Sequence, residues 1–570
     1  MAQHEGTAPP ARRDPVIRSS WFVLLVVFLA GIGTLGVEMV ASRLLAPYFG
    51  TSQPIWAVVI GMTLVYLALG YRLGGALADR RPDEQVLYQI ICWAGFATGF
   101  IPILSYPILH ISQQALEALA VGSFLGALVG VLLLFAIPVT LMAMVSPFAV
   151  RVQLKRVQQG IEGAGKTAGS LSSLSTLGSI LGNFLTVLVL IPSVGTARTT
   201  YLFAVFLIII GIIGLRDWRY LGMLVVVALL AGYTTAAHGV IKTADCERCT
   251  LAHEEESQYN YIQIITRQRH TVTGQPTESV NLVLNEGQAV HSIYNLRYEQ
   301  SGDPLDLLTG GGPWDYFTVA PYFYPDRAPS SVGSMLMLGS ASGSIPKQFL
   351  AIYGDSAKVD AVEIDPRIVA NGRAYFGMDD GSAKHPNYRV HTEDARYWLE
   401  TQAGSYDIIG MDAYHQPYIP FHLTTVEFFR SVRAHLSAQG VAVVNAGKSP
   451  TGDDRLGNAL ATTMLQVFPQ VFVLDTYDGG NQILVGVNSP VGDGVANFAK
   501  SRVTVGIPAL QAVIGWAIDG PGDPKRLFAP PHEFLPADAR FAAFTDDKAP
   551  VENLIDALIF DVALDDQQQQ

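Results

Sequence analysis

Seven apolar stretches fall near residues 22–41, 55–74, 86–109, 121–147, 170–192, 197–214 and 218–237, each long enough to cross about 30 Å of hydrocarbon as a helix. In a bilayer such a stretch satisfies its backbone only through its own hydrogen bonds, so residues 21–240 are expected to form a multi-pass bundle of about seven helices. Basic residues recur at alternate gaps: Arg12, Arg13 and Arg18, then Arg72, Arg80 and Arg81, then Arg151, Lys155, Arg156 and Lys166, then Arg216 and Arg219. By the positive-inside rule the N-terminus is cytoplasmic, and an odd number of crossings provisionally puts everything after residue 240 on the extracytoplasmic side of the cell membrane; the alternative is that one stretch is re-entrant or split, and the sequence alone leaves the two open. The polar tail 1–20 lacks a short apolar core ending in a cleavage site and is expected to be retained.

Charge separates the two halves. Residues 1–241 carry 14 Lys+Arg against 9 Asp+Glu, and the remainder 23 against 40. An acidic globular part excludes nucleic acid as an expected partner and leaves membrane lipid and small molecules. Of three cysteines, Cys92 lies within an apolar run, while Cys246 and Cys249 form a lone CxxC, which reads as a local disulfide or two plain thiols, with no metal expected.

Within the apolar half, Glu38 and Arg43 stand five residues apart, the spacing of a packing ion pair or of a transport site. GYRLGGALADRR, with Asp79 and Arg80, resembles a loop of major facilitator transporters. GSLSSLSTLGSILGNF has the small residues of close helix packing.

From residue 250 the pattern changes. YNYIQIITRQ and VNLVLNEGQAVHS, divided by TVTGQPTE, read as a small antiparallel β region over 250–328. Over 329–500 short apolar strands alternate with helices, the pattern of a doubly wound parallel sheet that binds ligand at the carboxyl ends of its strands. Gly339 and Gly343 permit a tight turn after the first strand. Glu363 ends the second, 24 residues after Gly339, where an acid in such folds accepts hydrogen bonds from ribose hydroxyls; Asp394 ends the third and Asp412 the fourth. An acid at a strand end can simply cap the next helix. The ordered set favours a nucleoside site.

The stretch 253–490 resembles the spermidine synthases, the polyamine aminopropyltransferases, and the whole chain resembles their transmembrane, transporter-fused relatives. The resemblance rests on SQYNYIQI, LNEGQAV, WDYFTVAPYF, LGSASGS, VEID, TEDA and MDAY. It implies an α/β Rossmann-like domain of the class I methyltransferase type, with a small N-terminal sheet, carried by the membrane bundle. By the same resemblance Tyr316 contacts an amine acceptor, Glu363 the ribose and Asp394 the adenine edge, while Asp412 helps deprotonate the attacking amine.

Departures from the family pattern fall at the tail and acceptor positions. Asn260 stands for the usual Gln after the entry-strand Tyr, Phe317 for the Gln or His after Tyr316, Ser342 for the acid of the Gly-rich loop and His415 for the second acid of a DxxD pair. An acid at the loop repels an intact donor carboxylate; Ser342 removes that repulsion. His415 weakens attraction for a diamine yet can serve as base or donor near neutral pH. His415 and His422 can equally pack within their segment. FTDDKAPVENL, in a C-terminal extension, 501–570, resembles a segment of the fused relatives, in which Asp546 and Asp547 would supply acidic groups to the site; on sequence grounds it reads rather as a solvated loop.

The reading is therefore a membrane-anchored aminopropyltransferase that holds no permanent cofactor and takes decarboxylated S-adenosylmethionine as co-substrate with an amine such as putrescine. The alternatives are an enzyme using intact S-adenosylmethionine, by methyl transfer or by intramolecular cleavage, and a non-catalytic nucleoside or polyamine sensor or transporter. The acceptor is open, and so is a homo-oligomeric state.

Overall fold

The computed structural model describes residues 16–49, 53–116, 122–157, 161–236, 249–285, 290–414, 419–448, 452–521, 527–552 and 554–555. It divides into two compact units, residues 1–243 without two short connecting stretches, and residues 244–570 with those stretches.

The first unit is helical. Among the described residues, five helices are long and apolar enough to cross a membrane: Ser20–Phe49, Ile55–Arg80, Phe124–Arg156, Gly163–Val194 and Thr196–Leu215. The apolar stretch at 86–109 is instead a pair, Glu84–Thr98 and Ile101–Ser112, bent by 51°. The break falls where Pro102, which has no N–H to give, is accommodated in the first turn of a new helix. The last stretch forms a shorter apolar helix, Trp218–Thr234. The seven stretches thus become five long helices, one bent pair and one short helix.

Several helices are apolar all round rather than on one stripe. Leu64, Leu133, Ile137, Phe184 and Leu229 are among many large apolar side chains left exposed. Small residues draw the backbones together, as the serine- and glycine-rich stretch implies. A Cβ on Gly178 would fall 2.1 Å from the carbonyl oxygen of Phe28, and one on Gly182 2.3 Å from that of Ile32. Among the described residues no ion pair joins Glu38 to Arg43. Asp79 pairs instead with Arg151, Nε to Oδ1 at 3.1 Å.

The second unit begins with a four-stranded antiparallel sheet in the order β1-β2-β3-β4, made of β1 (Cys249–Glu256), β2 (Tyr261–His270), β3 (Pro276–Leu284) and β4 (Val290–Asn295). Cys249 is disulfide-bonded, Cys92 is a free buried thiol, and Cys246 lies outside the described residues.

The main sheet contains β5 (Ser334–Leu338), β6 (Lys358–Glu363), β7 (Tyr388–Thr392), β8 (Tyr406–Met411), β9 (Leu436–Gly447), β10 (Gln470–Asp475), β11 (Asn481–Val487) and β12 (His532–Glu533). Their order is β12-β10-β11-β9-β8-β5-β6-β7. The five strands from β9 to β7 are parallel, and β11 runs antiparallel to β9 and to β10. Strands such as SMLML, buried almost throughout, carry no polar face because helices cover both sides of the sheet. One core holds Phe349, Val359, Ile408 and Val513, and the other holds Leu338, Trp398, Phe429 and Phe468.

The described residues of 501–555 are part of this body rather than an appendage. β12 adds an edge strand to β10, helix Pro508–Asp519 gives Leu510, Val513 and Ile514 to the first core, and Phe544 and Val551 enter the second.

Candidate active site

β5 lies between β6 and β8, so the chain leaves the sheet in opposite directions on its two sides. At such a switch point the carboxyl ends open a crevice. Gly339 begins the loop after β5 with φ +79°, and a Cβ there would lie 2.6 Å from the Cα of Ala413. Only glycine brings this turn against the residue that follows Asp412. Gly343, at φ +91°, caps helix Ser344–Tyr353. Between them Ala341 holds φ +46°, a strained conformation for a residue with a Cβ, and donates its N–H to Glu363 Oε2 at 2.9 Å.

Glu363 thereby braces the loop. Its other oxygen accepts from the N–H of Asp365 at 3.1 Å. Burial pushes its carboxyl up to about 7 against those backbone donors, so a ligand supplying further donors would favour the charged form.

Asp394 follows β7 by two residues. Its Oδ1 accepts from the N–H groups of Arg396 and Tyr397 at 3.0 and 2.9 Å and caps helix Ala395–Thr401, so the capping role is real. Its Oδ2 lies 3.4 Å from His422 Nε2. His422 is the largest influence holding this carboxyl below the usual range.

Asp412 follows β8 and is half-buried. Its Oδ1 accepts from Asn445 Nδ2 at 2.9 Å, and the Trp314 indole N–H also favours the charged form. Burial outweighs both and raises the carboxyl to about 6. Asn445 is fixed in turn: its Oδ1 accepts from Asn481 Nδ2 at 2.9 Å and its carbonyl from the Tyr414 hydroxyl at 3.0 Å. A carboxylate poised near pH 6 and held by two donors can take a proton from an incoming amine.

The remaining expected residues lie as follows. Ser342 is buried in the loop, its amide donating to Ser292 Oγ at 3.0 Å, and its own Oγ has no hydrogen-bond partner among the described residues. Asn260 spends both ends of its amide inside the protein, Nδ2 on Asp365 Oδ2 and Oδ1 on Asn285 Nδ2, each at 2.9 Å. It braces the cap of helix Pro366–Tyr375, which departs from the expected contact with a nucleoside. Tyr316 is fully buried and its hydroxyl accepts from the N–H of Tyr477 at 2.9 Å. Phe317 is a core residue packed under Gly410, two positions before Asp412, rather than a wall of the crevice. His415 lies outside the described residues.

Asp546 is not free to serve the site. Arg396 grips both its oxygens at 2.7 Å, Thr425 Oγ1 donates to it at 2.7 Å, and the arginine's hydrogen bonds hold its carboxyl down at about 2. Sequence reasoning passed over Asn445 and Trp314. An Asn closing the apolar strand VAVVNAG was a readable signal for the first, since a polar side chain at a strand's carboxyl end faces the crevice.

Residues 336–483 match the spermine/spermidine synthase domain. A probable polyamine aminopropyl transferase of Bifidobacterium longum is 28% identical over 327 residues, which cover 55% of this chain and 65% of that protein, just under two thirds of its length. The polyamine aminopropyltransferase of Vibrio vulnificus is 32% identical over 246 residues, 42% of this chain and 72% of that one. Among solved structures, a probable spermidine synthase from Corynebacterium glutamicum aligns at 21% identity with a TM-score of 0.36, over 45% of this chain and 89% of that one. The chain belongs to the polyamine aminopropyltransferase family, transferases of the spermidine synthase type.

Proposed function

We propose that the protein is a membrane-anchored aminopropyltransferase that transfers an aminopropyl group from decarboxylated S-adenosylmethionine to an amine such as putrescine. The observation that carries this reading is the placement of Glu363, Asp394 and Asp412 after successive strands around the Gly339–Gly343 turn, the last of them raised to about 6. Glu363 takes the ribose hydroxyls and Asp394 the adenine amino group. The amine nitrogen gives its lone pair to the methylene carbon next to the sulfonium, the carbon–sulfur bond breaks, and its electron pair neutralises the sulfur. Methylthioadenosine leaves, and the proton lost by the nitrogen passes to Asp412. Positive sulfur already activates the leaving group, so the protein's part is alignment and one proton acceptor.

Ser342 supports a second reading. A neutral hydroxyl, buried and without a protein partner among the described residues, stands where an acid would repel an intact carboxylate, so S-adenosylmethionine itself becomes an acceptable donor. Product analysis after incubating the purified full-length protein with each donor, with and without putrescine, separates the two. Methylthioadenosine together with spermidine supports the first. S-adenosylhomocysteine or a lactone supports the second.

Anchoring is supported by the long apolar helices and their exposed apolar side chains. Counting the bent pair as one span and the shorter apolar helix Trp218–Thr234 as another gives seven crossings, which with the basic-residue pattern supports an extracytoplasmic second unit. The disulfide at Cys249 suits such an oxidising compartment. Thiol labelling in intact cells under reducing conditions tests it: protection of Cys249 would reverse the orientation.

A further inference from the structure

His422 sits in the turn Phe421–Leu423, which leads into helix Val426–Ala434. Its backbone carbonyl is held by a side chain that is itself anchored. Arg396 Nη1 donates to its carbonyl at 3.1 Å, and the same guanidinium is clamped by Asp546, whose N–H in turn donates to Glu427 Oε2 at 3.1 Å. Held this way, the imidazole places Nε2 3.4 Å from Asp394 Oδ2, with both side chains a little over one third exposed. The other oxygen of Asp394 is already committed to two N–H groups of its own helix.

We infer that His422 competes with the nucleobase for Asp394, occupying the carboxylate oxygen that a purine amino group would have to reach. The inference rests on the reading that Asp394 binds the nucleobase edge. A protonated imidazole holds Oδ2 as an ion pair and a neutral ring holds it less strongly, so protonation of the ring strengthens the competition. Among the described residues, the charged groups around the ring are these. Asp394 and Arg396 come from helix Ala395–Thr401 and its cap, Asp546 from the C-terminal segment and Glu427 from helix Val426–Ala434. Arg396 is neutralised by Asp546 and Glu400, and Glu393 lies beside the Asp394 amide. None of the others makes a hydrogen bond to Asp394 Oδ2, so His422 is the group whose charge decides whether that oxygen is available.

The test is the affinity of the full-length protein for 5′-methylthioadenosine, measured by titration calorimetry at pH 6 and pH 8 for wild type, His422→Ala, His422→Gln and Asp394→Asn. His422→Ala is expected to bind about two- to fivefold more tightly than wild type at pH 6, the span of an exposed ion pair's strength, and to match wild type at pH 8. His422→Gln keeps a donor that cannot gain a proton, so its affinity relative to the alanine variant should not change with pH. Taking the ratio of variant to wild type cancels the pH dependence of every other group, Glu363 included. A ratio independent of pH, or weaker binding by His422→Ala, overturns the inference. If Asp394→Asn, which keeps the helix cap, loses affinity while that ratio stays flat, only the role of His422 falls. Undiminished binding by Asp394→Asn removes the nucleobase reading as well.

Discussion

Asn445 donates from Nδ2 to Asp412 Oδ1 at 2.9 Å, joining the carboxyl ends of two neighbouring parallel strands through a single amide. The donor favours the charged carboxylate, while burial opposes it and leaves Asp412 at about 6. A proton acceptor works only when ionised, so kcat at saturating substrate should rise as pH increases through about 6 and level off above it. Asn445→Ala removes a donor to the charged form, so the rise should move to higher pH. Asp412→Asn should cost on the order of 10²- to 10⁴-fold in rate. A pH–rate profile of the three proteins checks all of this.

Glu363, raised from 4.5 to about 7, sets a second dependence. Ribose hydroxyls donate to the ionised carboxylate, which predominates above about pH 7. Affinity for 5′-methylthioadenosine should therefore weaken as pH falls through that value. The same raised acid means the folded chain binds more protons than the unfolded one between pH 4.5 and 7, so this group's contribution to stability declines as pH rises across that window. Calorimetric titration and thermal melts of the ligand-free protein read the two effects.

Gly339→Ala puts a Cβ into the backbone of Ala413 at a φ of +79°. The turn cannot shift without pulling the loop off the end of β8. The substitution should cost at least about 1–3 kcal/mol in strain and abolish nucleoside binding, as chemical denaturation and titration would report.

Asp546→Asn should leave turnover unchanged, because the arginine that grips Asp546 makes it a tie for the C-terminal segment and not an acid of the crevice. The pair is exposed, so stability should fall by no more than about 1 kcal/mol. A loss of turnover with unaltered melting would instead give Asp546 a catalytic part.

What the sequence made legible was local. Glu363, Asp394 and Asp412 could be read because each lies at or within two residues of the carboxyl end of an apolar strand, and the Gly339–Gly343 turn because glycine alone tolerates those angles. Asn445 on Asp412, His422 on Asp394 and Arg396 on Asp546 are separated by 33, 28 and 150 residues, and only folding brings them together. Hydropathy over 86–109 averaged through the bend before Pro102, and the two-residue strand His532–Glu533 has no periodicity to detect.

Titrating full-length protein with 5′-methylthioadenosine at pH 8, wild type beside Glu363→Gln, asks whether an adenosyl group is held by the acids at the strand ends. Saturable one-to-one binding that weakens at least about tenfold in the variant is the expected result, the cost of leaving a charged hydrogen bond unmade. No binding by a folded wild-type protein, or equal binding by the two, would contradict it.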